Sequence, residues 1–352
     1  MKRVCLLLII WAVVVFFGCD KQQSPIAPES NDAIQKSQIK PPDYNAAEAR
    51  AKLDAIAAKA RAWVAQHQAQ HSTKGAAGQL ATAASSKVIT VPDDYPTIQQ
   101  AVNAALAGDK IMVKAGTYNE FVLVTVPVME IINQGKVTVN GGFVIRADRV
   151  TIDHFIINAL YYPNVGGAVG VYVFGSSKAK IKNNIISGGD AGIGVQLSTN
   201  CAVRANNVSG VTTFAGIVLA DADGNTVNGN TATGNINGIG LGFDCDNNII
   251  TGNTCDANSS RGIILGGTFN QMSSNSCNGC IDGISVESAT SNTIGPNNTA
   301  NNNSSVGLLM QSDAGNNIVK KNTFLDNAVY DIFNAGTGNT FFKNKAVNTS
   351  GV

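Results

Sequence analysis

The chain has no excess of either charge. Lys and Arg number 25 against 24 for Asp and Glu in 352 residues, so the net charge is close to zero. A protein that holds nucleic acid or an anionic membrane through its surface normally carries a basic excess, which is missing here. Charged residues of both signs reach only 14%, low for a helical globular protein; with 36 glycines, that composition suits an all-β chain rich in turns. Long apolar runs are also scarce. The one that stands out, Val4 to Phe17, is short for a membrane-spanning helix. Both tryptophans lie before residue 88, and of three histidines only His154 lies after it.

The opening "MKRVCLLLIIWAVVVFFGCD" has a cationic start, an apolar stretch and a small residue, and is read as an export signal. It resembles a bacterial lipoprotein signal, in which cleavage follows a small residue and the next cysteine is lipidated. The resemblance implies a signal over 1–18, lipid on Cys19, and a protein anchored to the cell envelope on its periplasmic side or at the surface. Phe16 and Phe17 depart from the usual residues before the cysteine. Residues 19–43, with four prolines, read as a flexible tether. Residues 44–71 carry Leu53, Ile56, Ala60, Trp63 and Val64 at helical spacing and predict one amphipathic helix. His67 and His71 share a face of it, two ligands without a third. A linker over 72–87 follows.

From residue 170 the sequence repeats. Short apolar runs begin at Gly170, Gly192, Gly216, Gly238, Gly262, Gly283, Gly307 and Asp331, in steps of 21 to 24 residues. An asparagine column keeps the same beat at Asn184, Asn207, Asn230, Asn253, Asn275, Asn298, Asn322 and Asn344, and a second runs from Asn225 through Asn248, Asn270, Asn292 and Asn317 to Asn339. No unit holds a stretch long enough for a helix, and the leucine consensus of leucine-rich repeats is absent. The pattern predicts an all-β solenoid of parallel strands, one unit of about 22–24 residues per coil. Asparagine stacks well there, because its amide can donate to one coil and accept from another.

Over about 88–346 the chain resembles the right-handed parallel β-helix proteins of the pectin-lyase-like superfamily. The most specific stretch is "VITVPDDYPTIQQAVNAALAGDKIMVKAGTYNE" (88–120), similar to that family's opening strand, capping helix and turn into the first coil. The regular coils look most like NosD-type and carbohydrate-binding repeats. The resemblance implies a right-handed parallel β-helix over 88–352 with an N-terminal capping helix.

Alternation along each strand sends Ile193, Val195, Ile217, Leu219, Ile263 and Leu265 inward, and Tyr172, Phe174, Gly194, Gln196, Val218, Ile264, Ser285, Glu287, Leu309 and Gln311 outward. Enzymes of the superfamily that act on acidic polysaccharides carry carboxylates and a base on this outer face; here it holds Glu287 alone. Their signature motifs are missing. "TIDHFII" (151–157) resembles a pectate-lyase stretch and would make Asp153 a calcium ligand, but it lacks the preceding tryptophan. The best acidic constellation is Asp221 and Asp223 beneath Asp244 and Asp246, a candidate Ca²⁺ site. Arg261 on the next coil makes Asp244, Arg261 and Glu287 the candidate catalytic groups. The same aspartates also serve turns, where their side chains bond local backbone.

Tyr161 and Tyr162 in an insertion, with Tyr172 and Phe174 beside them, form the candidate sugar platform, since flat aromatic rings stack on sugar faces. Cys255 and Cys277 fall in register on neighbouring coils, either as a disulfide or as small core residues. Copper binding of the NosD kind would want clustered His, Met or Cys, which this domain does not show. The expected function is polysaccharide binding by a protein that meets the membrane through its lipid anchor alone and has no nucleic-acid partner. A polysaccharide lyase or epimerase acting on uronic-acid glycans is the enzymatic alternative, and an assembly module the structural one.

Overall fold

The computed structural model describes residues 86–162, 167–242 and 244–352. The signal, Cys19, the tether and the amphipathic helix expected ahead of the β-helix lie outside the described residues.

The described chain winds into a parallel solenoid of about eleven turns, a right-handed parallel β-helix. Three strand faces alternate around each turn. On face 1, Thr226–Asn228 lies between Ala202–Arg204 and Ile249–Thr251, with Val227 level with Val203 and Ile250. Face 2 carries Ile156–Ala159, Ile185–Ser187 and Asn207–Ser209. Face 3 carries the recurring apolar runs, Ala191–Gln196 pairing with Ile217–Ala220 and that strand with Asn237–Leu241. Coils separated by one strand spacing, about 4.8 Å, place like on like. Ile193, Ile217, Ile239, Ile263 and Ile284 therefore form one buried row.

The glycine that opens each run on face 3 is fixed by the thinness of the coil. A Cβ on Gly238 would lie 2.8 Å from the Cβ of Cys255, on Gly262 2.6 Å from that of Cys277, and on Gly283 2.5 Å from that of Ala300. Opposite walls meet there: in the later coils these glycines face alanine or cysteine, and in the earlier ones Gly170 faces Ile186 and Gly192 faces Val208.

Asparagine ladders run along the axis as expected. Asn253 Oδ1 accepts from the backbone N–H of Asn230 at 2.9 Å and from its Nδ2 at 3.0 Å, while Asn253 Nδ2 donates to Val227 O at 2.9 Å. Among the described residues no buried side-chain nitrogen or oxygen lacks a partner. The register expected at Asn207 is corrected: Asn206 is the buried rung between Asn184 and Asn230, and Asn207 points to solvent. A third ladder, with links Asn235–Asn258 and Asn303–Asn327, was not expected.

Helix α1 (Ile98–Ala104) closes the first coil. Thr97 caps it, its hydroxyl accepting from Gln100 N–H, and Glu120 accepts from the N–H groups of Ile98 and Gln99 at 2.9 Å. Gln99 also receives the N–H of Leu123 and donates to its carbonyl, completing the edge strand Phe121–Val124. An open strand edge is thereby satisfied by a side chain.

Candidate functional site

The outer surface of face 3 carries several of the candidate residues expected from the sequence, and they divide into two groups. Tyr172 and Phe174, expected as exposed rings, are only 8% and 4% exposed. The Tyr172 ring lies over Gly194 of the next coil, where a Cβ would come within 3.1 Å of it, and its hydroxyl bonds Gln196 Oε1. Burial pushes that phenol far above its ordinary range. The Arg146 guanidinium sits 5.2 Å from the centre of the Phe174 ring. These two rings offer no open platform.

Farther along the same face, Arg261 meets Glu287 at 3.5 Å and Asp282 at 3.8 Å, and Ser285 donates to Glu287 at 2.6 Å. Two of the three candidate catalytic groups are thus together, tied to each other. Asp246, close to the third group Asp244 in the chain, lies at the other end of the strand. Arg261 begins the strand Arg261–Thr268, whereas Asp246 accepts from Thr268 N–H at its far end. Seven steps of about 3.3 Å put roughly 23 Å between those ends.

Two of the four aspartates, Asp223 and Asp246, act as turn residues. Asp223 accepts from the N–H of Asp246 at 2.9 Å, and Asp246 from that of Thr268 at 2.7 Å, each carboxylate closing the turn of the following coil. Among the described residues no three His, Cys, Asp or Glu side chains gather as a metal site. Asp153 likewise serves the fold. It pairs with Lys182 at 2.9 Å and accepts from Asn183 at 2.8 Å. Although burial works against ionisation, Asn183, Lys182 and His154 together hold its carboxyl below the usual range.

Tyr161 and Tyr162 leave the coil in a short hairpin, pairing antiparallel with Ala168 and Gly167. Tyr162 stacks on Phe121, ring centres 4.5 Å apart and planes within 6°. That stack holds the hairpin against the first coil and leaves Tyr161 59% exposed.

All five described cysteines are free and buried, Cys255 and Cys277 as neighbouring thiols. Cys201 and Cys280 occupy ladder positions. Cys280 Sγ reaches Cys255 O at 3.5 Å, as Asn258 Nδ2 reaches Ala232 O on the preceding coil. Burial raises the Cys201 and Cys280 thiols to about 11 and raises Cys245 and Cys277 as well, which leaves them unreactive.

Residues 102–351 match the family described as periplasmic copper-binding protein (NosD). Among solved structures, the chain is similar to the A-module of the Azotobacter vinelandii mannuronan C-5 epimerase AlgE4, at 14% identity, over 76% of this chain and 97% of that one, with a TM-score of 0.53. A variant of the periplasmic alginate epimerase AlgG aligns at 14% identity over 73% and 85%, TM-score 0.50, and the Dettilon tailspike protein at 14% over 73% and 66%, TM-score 0.50. No curated protein matches the chain. At such identities the structures establish the fold alone.

The described residues do not fit a copper site. His154 is their one imidazole and its Nδ1 faces Asp153, while the thiols are sealed in the core. Copper prefers converging imidazole, thiolate or thioether donors, and no three His, Cys, Asp or Glu side chains converge among the described residues. On the match over 102–351 and the coil that those residues build, the chain belongs to the NosD family of parallel β-helix proteins.

Proposed function

We propose that the chain is an exported binding protein for polysaccharide, held at the membrane by lipid on Cys19. The observation that carries the reading is the Tyr161 ring, presented to solvent on a hairpin that the Tyr162–Phe121 stack immobilises. A rigid exposed aromatic ring offers a sugar its apolar face at low entropic cost. The periplasmic description of the family supports export, and the names of the epimerases of like fold agree with a glycan ligand. On the outer face of face 3, Arg261 and Glu287 neutralise one another, which favours binding over lyase chemistry.

The test is retention of the full chain on immobilised glycans. Tyr161→Ala should lose retention and keep its Tm; equal retention by that variant would remove the basis of the reading. Cys19→Ser should move the protein from the detergent phase to the aqueous phase, and an unchanged partition would refute the anchor. Accumulation of unsaturated sugar product would replace binding with a lyase.

A further inference from the structure

A second surface on the molecule is unlike the rest. Where face 3 turns into face 1 in the early coils, a hollow of about 670 Å³ is lined by Lys110, Arg149, Lys178 and Lys180, with Glu130 and Thr151 between them. Lys110 spends part of its charge on Glu130 at 3.6 Å. Arg149, Lys178 and Lys180 meet no carboxylate among the described residues. The nearby Asp148 carboxylate is turned to the N–H of Ser177 at 2.7 Å.

The cations form a row. Lys110, Glu130, Thr151 and Lys180 are level with one another on successive coils, so Lys110 and Lys180 are three strand spacings apart, roughly 14 Å along the axis. Arg149 and Lys178 come from the turn just before these strands and are left-handed, with φ of 57° and 59°. The same left-handed position holds Gly108 and Val128 elsewhere in the hollow, and Asn200, Gly224, Asn247, Phe269 and Ser291 on later coils; glycine and asparagine suit such a backbone best. A long cationic side chain stands there only on the coils that line the hollow.

We infer that this hollow is a binding site for an acidic polysaccharide, a linear chain bearing carboxylates at intervals. The inference rests on the polysaccharide reading and names the glycan class. One compact anion needs cations converging on a point, whereas a row suits charges that recur along a chain, with the Arg149 fork able to grip a carboxylate at two oxygens. Among the described residues no aromatic side chain lines the hollow for bases to stack on, which disfavours single-stranded nucleic acid. Its concave form disfavours a flat anionic membrane.

The experiment measures binding of the full chain to polygalacturonate, neutral dextran, duplex DNA and phosphatidylglycerol vesicles, at low and high salt. Arg149→Gly with Lys178→Asn removes two charges and installs residues that the turn prefers, so Tm should hold or rise. The expected result is polygalacturonate binding that salt weakens and the double variant lowers about tenfold. Equal binding by wild type and variant would overturn the hollow as the site. DNA or vesicles bound as tightly, and lost in the variant, would overturn the glycan assignment. Dextran bound as well as polygalacturonate would sink the acidic inference and leave the polysaccharide reading standing. Binding of neither glycan would end both.

Discussion

From Lys87 to Arg204 the coils carry ten Lys and Arg residues; from Ala205 to Val319 they carry one, Arg261, against eight carboxylates. The two stretches are also held together differently. The early coils are filled by large side chains such as Phe143, Phe155 and Met129, with helix α1 over their end. The later coils are threaded by asparagine, each amide bonded to the coils before and after it. The exposed Tyr161 and the cationic hollow both belong to the first stretch. Regularity builds the column, and the features proposed to meet a ligand occur where regularity is broken.

The largest expected effect lies in the regular stretch. Asn253→Ala would strand the backbone N–H of Asn230, take from its Nδ2 one acceptor while Val203 O remains, and remove the side-chain donor to the Val227 carbonyl. Buried polar groups left unpaired cost about 1–3 kcal/mol each, so a loss of about 3 kcal/mol or more in denaturant unfolding is expected. Gly262→Ala comes next. Its Cβ would press on Cys277 and on Gly283 O, both at 2.6 Å, and overpacking of this kind costs about 2 kcal/mol.

Acid should loosen the end of the column before the middle. Asp331 accepts from the N–H groups of Val347 at 2.8 Å and Asn348 at 3.1 Å, and from Asn327 Nδ2 at 3.0 Å. Burial alone would raise its pKa, but these hydrogen bonds outweigh burial and lower it. A depressed carboxylate contributes its full stabilisation above the unfolded value, about 3.9, and loses it as the pH falls through the folded value. Amide exchange at Val347 and Asn348 should therefore accelerate below about pH 4, and Asp331→Asn should remove most of that dependence.

The smallest effect has the opposite sign. Cys280→Asn would restore a rung between Asn258 and Asn303, so a gain of about 1 kcal/mol is expected in thermal unfolding.

What the sequence revealed and what it concealed follow from the same periodicity. Residues such as Ile217 and Ile239 could be assigned inward, because alternation along a strand is strict and the coils stack in register. The step from Asn184 could be read to within one residue. Two asparagines stand side by side at 206 and 207, and only the backbone decides which is buried. Tyr172 was correctly placed on the outer face, yet it is covered, since Gly194 lets its ring lie flat across the neighbouring coil. Arg261 seemed close to Asp246, fifteen residues away, because sequence distance hides which end of a strand a residue occupies. The hollow was invisible for a similar reason. Lys110, Arg149 and Lys178 come from coils of unequal length, and no period in the sequence links them.

The most direct test of the claim that recognition belongs to the irregular coils is glycan binding by two matched sets of variants. One set changes the early coils, with Tyr161→Ala and Lys178→Asn. The other changes the outer face of the regular coils, with Arg261→Gln and Gln311→Ala. The account predicts that the first set loses binding and the second keeps it, with every Tm measured alongside. Binding that survives the first set and fails in the second would place the site on the regular coils and contradict the account.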